Sequence, residues 1–191
     1  EIPEPRPFQD GLWQVARRCV HTLGDTEILA DLRLSGKGLA AGVEALRHGC
    51  TVFTDTRMAA AGLPLRRMTP LGVTVTPLMA LPGLEDTARK LGVTRSRAGV
   101  AAVADRLAGQ IMVIGNAPTA LLALLEALER GAPAPALIVG MPVGFVNAAQ
   151  SKELLHQSPW PHFTLLGRKG GSAVAAACVN ALAELALARR E

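Results

Sequence analysis

Residues 115–145 constrain this chain most. Two short apolar runs, 110–114 and 136–139, each end in glycine and open into a turn of small residues. The turns read Gly115-Asn116-Ala117-Pro118-Thr119 and Gly140-Met141-Pro142-Val143-Gly144. Between them residues 119–130 form one amphipathic segment, stopped by Gly131 and Pro133. This spacing predicts strand, loop, helix, strand, loop. In such units ligands bind where strand carboxyl ends meet helix amino ends.

The same alternation runs through the rest of the chain. Residues 1–10 are Pro-rich and read as an extended arm. Asp10 is placed to cap a helix over 11–23 that stops at Gly24, with Leu12, Ala16, Cys19, Val20 and Leu23 on one face. Residues 28–34 are apolar and fit either helix or strand. A helix over 38–47 precedes the β-branched run 51–54, and a short helix after Asp55-Thr56 closes at Gly62 and Pro64. Strand 73–76, helix 84–91, and a helix over 95–108 capped by Thr94 lead into the central unit. A helix over 148–157, strand 163–166, and a terminal helix over 172–188 follow it. Continuous apolar strands alternating with helices predict a three-layer α/β/α fold, with a mostly parallel sheet of about five strands. At 191 residues and 49% apolar, a single domain over 11–191 can bury one sizeable core.

Composition narrows the partners. The 20 Lys and Arg against 16 Asp and Glu leave a net charge of +4, and the basic residues come as scattered pairs such as Arg17-Arg18 and Arg189-Arg190. With no tyrosine and 3% aromatics, stacking platforms for nucleic acid are lacking. No run approaches the roughly 20 apolar residues of a membrane span. The three cysteines have neither metal-ligand spacing nor an even framework, which predicts a reduced, cytoplasmic setting. The four histidines show no HxH or HExxH spacing, so no metal site is expected.

A few residues could carry chemistry. His21, late in the first helix, is either a surface histidine favoured by the helix dipole or a general acid. His48 reads as a helix C-terminal cap, and His156 and His162 as solvated residues beside a Pro-rich loop. Arg95 opens a helix against the dipole's preference, as a surface ion pair or as a carboxylate or phosphate clamp. Asp55 is an N-cap or a polar wall of a site. Gly170-Gly171-Ser172 before a helix is a plain loop or an anion-binding turn. Phosphate-loop, dinucleotide and hydrolase-elbow motifs are absent.

Several stretches together carry a resemblance. They are Val20-His21-Thr22-Leu23-Gly24, Gly49 through Met58, Gly92-Val93-Thr94-Arg95-Ser96, and Gly115-Asn116-Ala117-Pro118-Thr119-Ala120. Gly140-Met141-Pro142-Val143-Gly144-Phe145-Val146, Ser151-Lys152 and Gly170-Gly171-Ser172 complete them. In this order the chain resembles the precorrin-8X methylmutase family, called cobalt-precorrin-8 methylmutase in the anaerobic route, isomerases of cobalamin biosynthesis. The resemblance implies transfer of a methyl group from C11 to C12 of a corrin-type polycarboxylate, without a cofactor, giving hydrogenobyrinate or cobyrinate. A non-catalytic tetrapyrrole carrier would use the same loops without needing the histidine. An enzyme of phosphosugars or nucleotides would use the Gly-Gly-Ser turn instead.

The resemblance makes His21 the proton donor. It places Arg95, Ser96, Asp55, Thr56, Met58, Asn116, Ala117, Thr119, Gly140, Met141, Gly144, Lys152, Gly170, Gly171 and Ser172 around the substrate. It also implies that the glycines let a flat ring approach the backbone while exposed N–H groups receive its carboxylates, and that the protein is a homodimer with sites near the interface. Two departures stand out. Only residues 1–10 precede the first matched helix, where the family has a longer segment, and Gln150 stands where Glu is usual.

Overall fold

The computed structural model describes Ile2 and residues 4–188; Glu1 and Pro3 of the expected arm and the Arg189-Arg190 pair lie outside the described residues. Among the described residues six strands form one sheet: β1 (Leu32–Leu34), β2 (Thr51–Thr54), β3 (Thr74–Pro77), β4 (Ile111–Ile114), β5 (Leu137–Gly140) and β6 (His162–Leu165). Their order is β1-β6-β5-β4-β2-β3, and all pairs are parallel except β1 with β6. β4, β5 and β6 are buried along their whole length; β4 and β5 read as apolar runs for that reason, whereas β6 also buries His162 and Thr164.

The pleat divides the sheet side chains between two helical layers. Val52, Ile111, Val113, Leu137, Val139 and Phe163 pack into the layer of α1 (Asp10–Leu23), α2 (Gly36–Arg47) and the terminal α9 (Ser172–Ala188). On this side α3 (Arg57–Ala61) and α4 (Leu65–Met68) also pack against α9. Phe53, Met112, Ile114 and Ile138 pack into the layer of α6 (Arg95–Ala101), α7 (Pro118–Glu129) and α8 (Ala148–Gln157). The short α5 (Leu84–Leu91) leans on α6. α9 is buried nearly all round because it lies between the sheet and α1. Its alanines let both neighbours approach, and its Cys178 meets Cys19 of α1 with 3.4 Å between sulfurs. No helix among the described residues is long and apolar enough to cross a membrane.

Several local expectations are corrected. The ambiguous stretch 28–34 resolves into a 3-10 turn, Glu27–Ala30, followed by the antiparallel edge strand β1. α6 ends at Ala101 instead of continuing to 108, because the chain tightens into a 3-10 turn that seats Val103 and Leu107 in the core. α4 follows Pro64, where no helix was expected. Asp10 is the first helical residue of α1, with Gln9 at the cap position and no side-chain cap. Thr56, not Asp55, caps α3 by accepting the Ala59 N–H. His162 lies in β6, buried, its Nδ1 2.8 Å from the Trp160 carbonyl oxygen; burial lowers its pKa. His48 does end α2, and Thr94 does cap α6.

Candidate functional site

The parallel strands deliver their loops to one rim. Asp55-Thr56 follows β2, residues 115–117 follow β4, residues 141–147 follow β5, and residues 166–171 follow β6. Asp55 sits beneath them, 1% exposed. Its Oδ1 accepts the Gly115 N–H at 3.1 Å, and its Oδ2 accepts those of Asn116 and Ala117 at 2.7 and 2.9 Å. Burial pushes its carboxyl pKa up, and the three amide donors oppose that shift. The amides expected to receive a ligand's carboxylates are therefore already satisfied by the protein's own carboxylate. Thr56 joins this girdle, its hydroxyl 2.9 Å from that of Ser172 at the start of α9.

The glycines divide by environment. A Cβ on Gly115 would lie 2.6 Å from Ser172 Cα, one on Gly140 2.4 Å from Leu155 Cδ2, and one on Gly170 2.3 Å from the Met141 carbonyl oxygen. These three glycines admit the chain's own atoms, a packing reason for glycine that needs no ligand. Gly144 and Gly171 have positive φ, 141° and 126°, and no neighbour closer than 4.0 Å at the Cβ position. Space beside backbone is found there. Because the obstacle at Gly115 is backbone, Gly115→Ala is expected to cost about 2 kcal/mol, seen as a lowered midpoint in denaturant at unchanged slope.

The remaining candidates separate by exposure. Met58, Asn116 and the loop residues Phe145 and Val146 are open to solvent, and Ala117, Thr119 and Ser96 are half-buried. Met141 is buried under α9, its sulfur 3.9 Å from Cys178 Sγ, and Gly140 and Lys152 are interior.

His21 lies in the last turn of α1, exposed, and lines a groove of about 340 Å³ with Gln14, Arg17, Arg18 and Glu184. Among the described residues its ring has no hydrogen-bond partner. Glu184 is engaged by Arg18 and, at 2.6 Å, by Arg67, so it holds those two guanidinium groups beside the groove. Gly24 ends α1 in the left-handed conformation, and Asp25 then accepts from Lys169 of the 166–171 loop at 2.6 Å. That ion pair ties the end of the His21 helix to the rim.

Arg95 lies elsewhere. It lines a cleft of about 450 Å³ with Arg57, Met79, Leu81, Gly83, Leu84, Glu85 and Asp86, and pairs with Glu85 at 3.0 Å in the open. One chain thus brings Thr56, the 115–117 turn, Gly170, Gly171 and Ser172 together. It sets His21 and Arg95 in helices on opposite faces of the sheet. Arg57, which lines the Arg95 cleft, and Arg17, Arg18 and Glu184, which line the His21 groove, were not singled out from the sequence. The signal for Arg57 was available: like Arg95, it opens a helix just after a threonine cap, against the dipole.

The precorrin-8X methylmutase family model matches residues 1–185. A precorrin-8X methylmutase of Pseudomonas aeruginosa is 45% identical over 174 residues, 90% of this chain and 83% of that protein. A cobalt-precorrin-8 methylmutase of Salmonella typhimurium is 43% identical over 186 residues, 95% of this chain and 87% of that protein. The crystal structure of a precorrin-8X methylmutase from Thermus thermophilus superposes with a TM-score of 0.90 at 41% identity, covering 97% of this chain and 90% of that one.

Proposed function

The chain belongs to the precorrin-8X methylmutase family, isomerases of cobalamin biosynthesis, and on that premise we propose that it moves a methyl group from C11 to C12 of precorrin-8X or cobalt-precorrin-8. The product would be hydrogenobyrinate or cobyrinate. The C11–methyl bond breaks as the C12–methyl bond forms, so the product is an isomer and any proton lent during migration is returned.

His21 is the donor in this reading. The observation that carries it is a histidine ring exposed in an arginine-lined groove and free of protein partners among the described residues. The other histidines are less available: His48 lies against the Glu44 carbonyl, His162 is buried, and Nδ1 of His156 is interior. Arg17 and Arg18 supply positive charge suited to the carboxylate arms of such a substrate.

Arg95 binds the periphery. Its exposed pair with Glu85 is weak, so a substrate carboxylate can take the place of Glu85 at little cost. Removing a charge-assisted bond of about 1.5–3 kcal/mol predicts that Arg95→Ala raises KM by about 10- to 100-fold with kcat little changed. Steady-state kinetics checks this, and an unchanged KM removes Arg95 from the site.

The separation of His21 from Arg95 across the sheet favours a homodimer in which a second copy completes each site. Exposed Met58, Phe145 and Val146 at the rim, 72%, 85% and 77% accessible, offer apolar surface for it. The test of the whole reading is to incubate the pure protein with precorrin-8X or its cobalt form and follow the visible spectrum, since the product's conjugation differs. Binding without spectral conversion of either substrate would leave a carrier, not an isomerase.

A further inference from the structure

Lys152 of α8 is among the largest fully buried side chains of the described residues, at 0% exposure. Its ammonium has three N–H donors. Among the described residues it donates only to the carbonyl oxygen of Lys169, at 2.7 Å, and no carboxylate lies within ion-pair distance. Burial lowers its pKa to about 8, against a longer-range pull from Asp31. A buried charge without a counter-ion is costly, and an aliphatic side chain would fill the space without that cost. Packing therefore does not explain a lysine here.

What the lysine holds is the loop after β6. Two ties meet at Lys169. Its carbonyl takes the Lys152 proton donor, and its own ammonium donates to Asp25, just past the helix that carries His21. The loop's other side is set against the turn after β5: the Gly171 N–H donates to the Met141 carbonyl at 2.9 Å, and the Gly144 N–H to the Arg168 carbonyl at 3.2 Å. Arg168 and Lys169 are otherwise exposed.

The geometry points to Lys152 as a positioning residue for the isomerisation, holding residues 168–172 in register with the last turn of α1 through the Lys169 carbonyl. Being interior, it acts on the rim without touching substrate. This rests on the reading of His21 as the donor, because the register it keeps is the one between that helix and the Gly-Gly-Ser turn.

Lys152→Met keeps the length and removes the donor. The variant is expected to melt no lower than the parent protein, since an uncompensated charge is gone, while amide exchange at 168–172 speeds up with the rest of the sheet unchanged. Misplacing the rim should lower kcat by about 10- to 100-fold, with KM within about twofold of the parent value. Asp25→Asn weakens the other tie at a half-buried position, removing its charge and leaving one oxygen for both Lys169 and the Glu27 N–H; it should give the same local exchange increase and a smaller kcat loss, and it carries the test if Lys152→Met does not fold. Parent-like exchange at 168–172, or parent-like kcat in a variant whose loop has loosened, overturns the proposal. The exchange measurement needs no substrate, so a parent protein inactive on corrin precursors would defeat the isomerase reading and leave the structural tie to be judged separately.

Discussion

Replacing His21 with alanine is expected to lower the rate of methyl migration by about 10²- to 10⁴-fold, the usual contribution of a positioned general acid. The fold should be indifferent. The ring is exposed, contributes nothing to the core and has no hydrogen-bond partner among the described residues, so its removal belongs with surface substitutions, within about 0.5 kcal/mol. Substrate should still bind, because the arginines and the rim loops are untouched. Single-turnover conversion followed in the visible range, beside a titration of binding, separates the two effects. A variant that binds and converts at the parent rate would show that the proton comes from elsewhere or is not needed.

The second large effect is expected at Asp55, where stability and activity should fall together. Asp55→Asn preserves shape but offers one acceptor oxygen in place of two. Turned to satisfy Asn116 and Ala117, the amide presents its NH₂ to the Gly115 N–H; turned the other way, it opposes both of the others. A buried donor is left unpaired in either case, and the retained bonds lose their charge. A loss of about 2–3 kcal/mol follows, or roughly 5–10 °C in melting temperature for a domain of this size. The rim should suffer further, since the same carboxylate sets the turn after β4 against β2, 60 positions earlier in the chain. We expect kcat/KM to fall by at least about tenfold. Differential scanning calorimetry and kinetics on one preparation check both; a variant as stable as the parent would mean that water or a rearranged turn supplies the missing acceptor.

These residues show where reading the sequence works and where it stops. Residues 84–91 and 172–188 read as helices and are α5 and α9; a glycine stop and apolar periodicity act locally at α5, whereas α9 is apolar nearly all round. The strand expected over 110–114 is β4, and the terminal strand of the central unit is β5. The three residues of β1 carry too little pattern to specify helix or strand; pairing with β6 makes them a strand. α6 is shorter than its spacing predicts because Val103 and Leu107 continue a helical period that the core satisfies with a tighter turn.

By itself, then, the order of apolar runs, glycines and amphipathic segments determined the layered α/β architecture and the rim on which the loops collect, and left His21 and Arg95 open between a structural and a functional role. Tertiary structure alone decided what those rim groups do. It filled the turn after β4 with Asp55, gave Gly115, Gly140 and Gly170 to self-packing, drew Lys152 inside, and set His21 and Arg95 on opposite faces of the sheet. The reason is physical: periodicity and capping depend on neighbours within a turn or two. Satisfying a buried carboxylate or an ammonium depends on which distant segments the fold brings within hydrogen-bond reach.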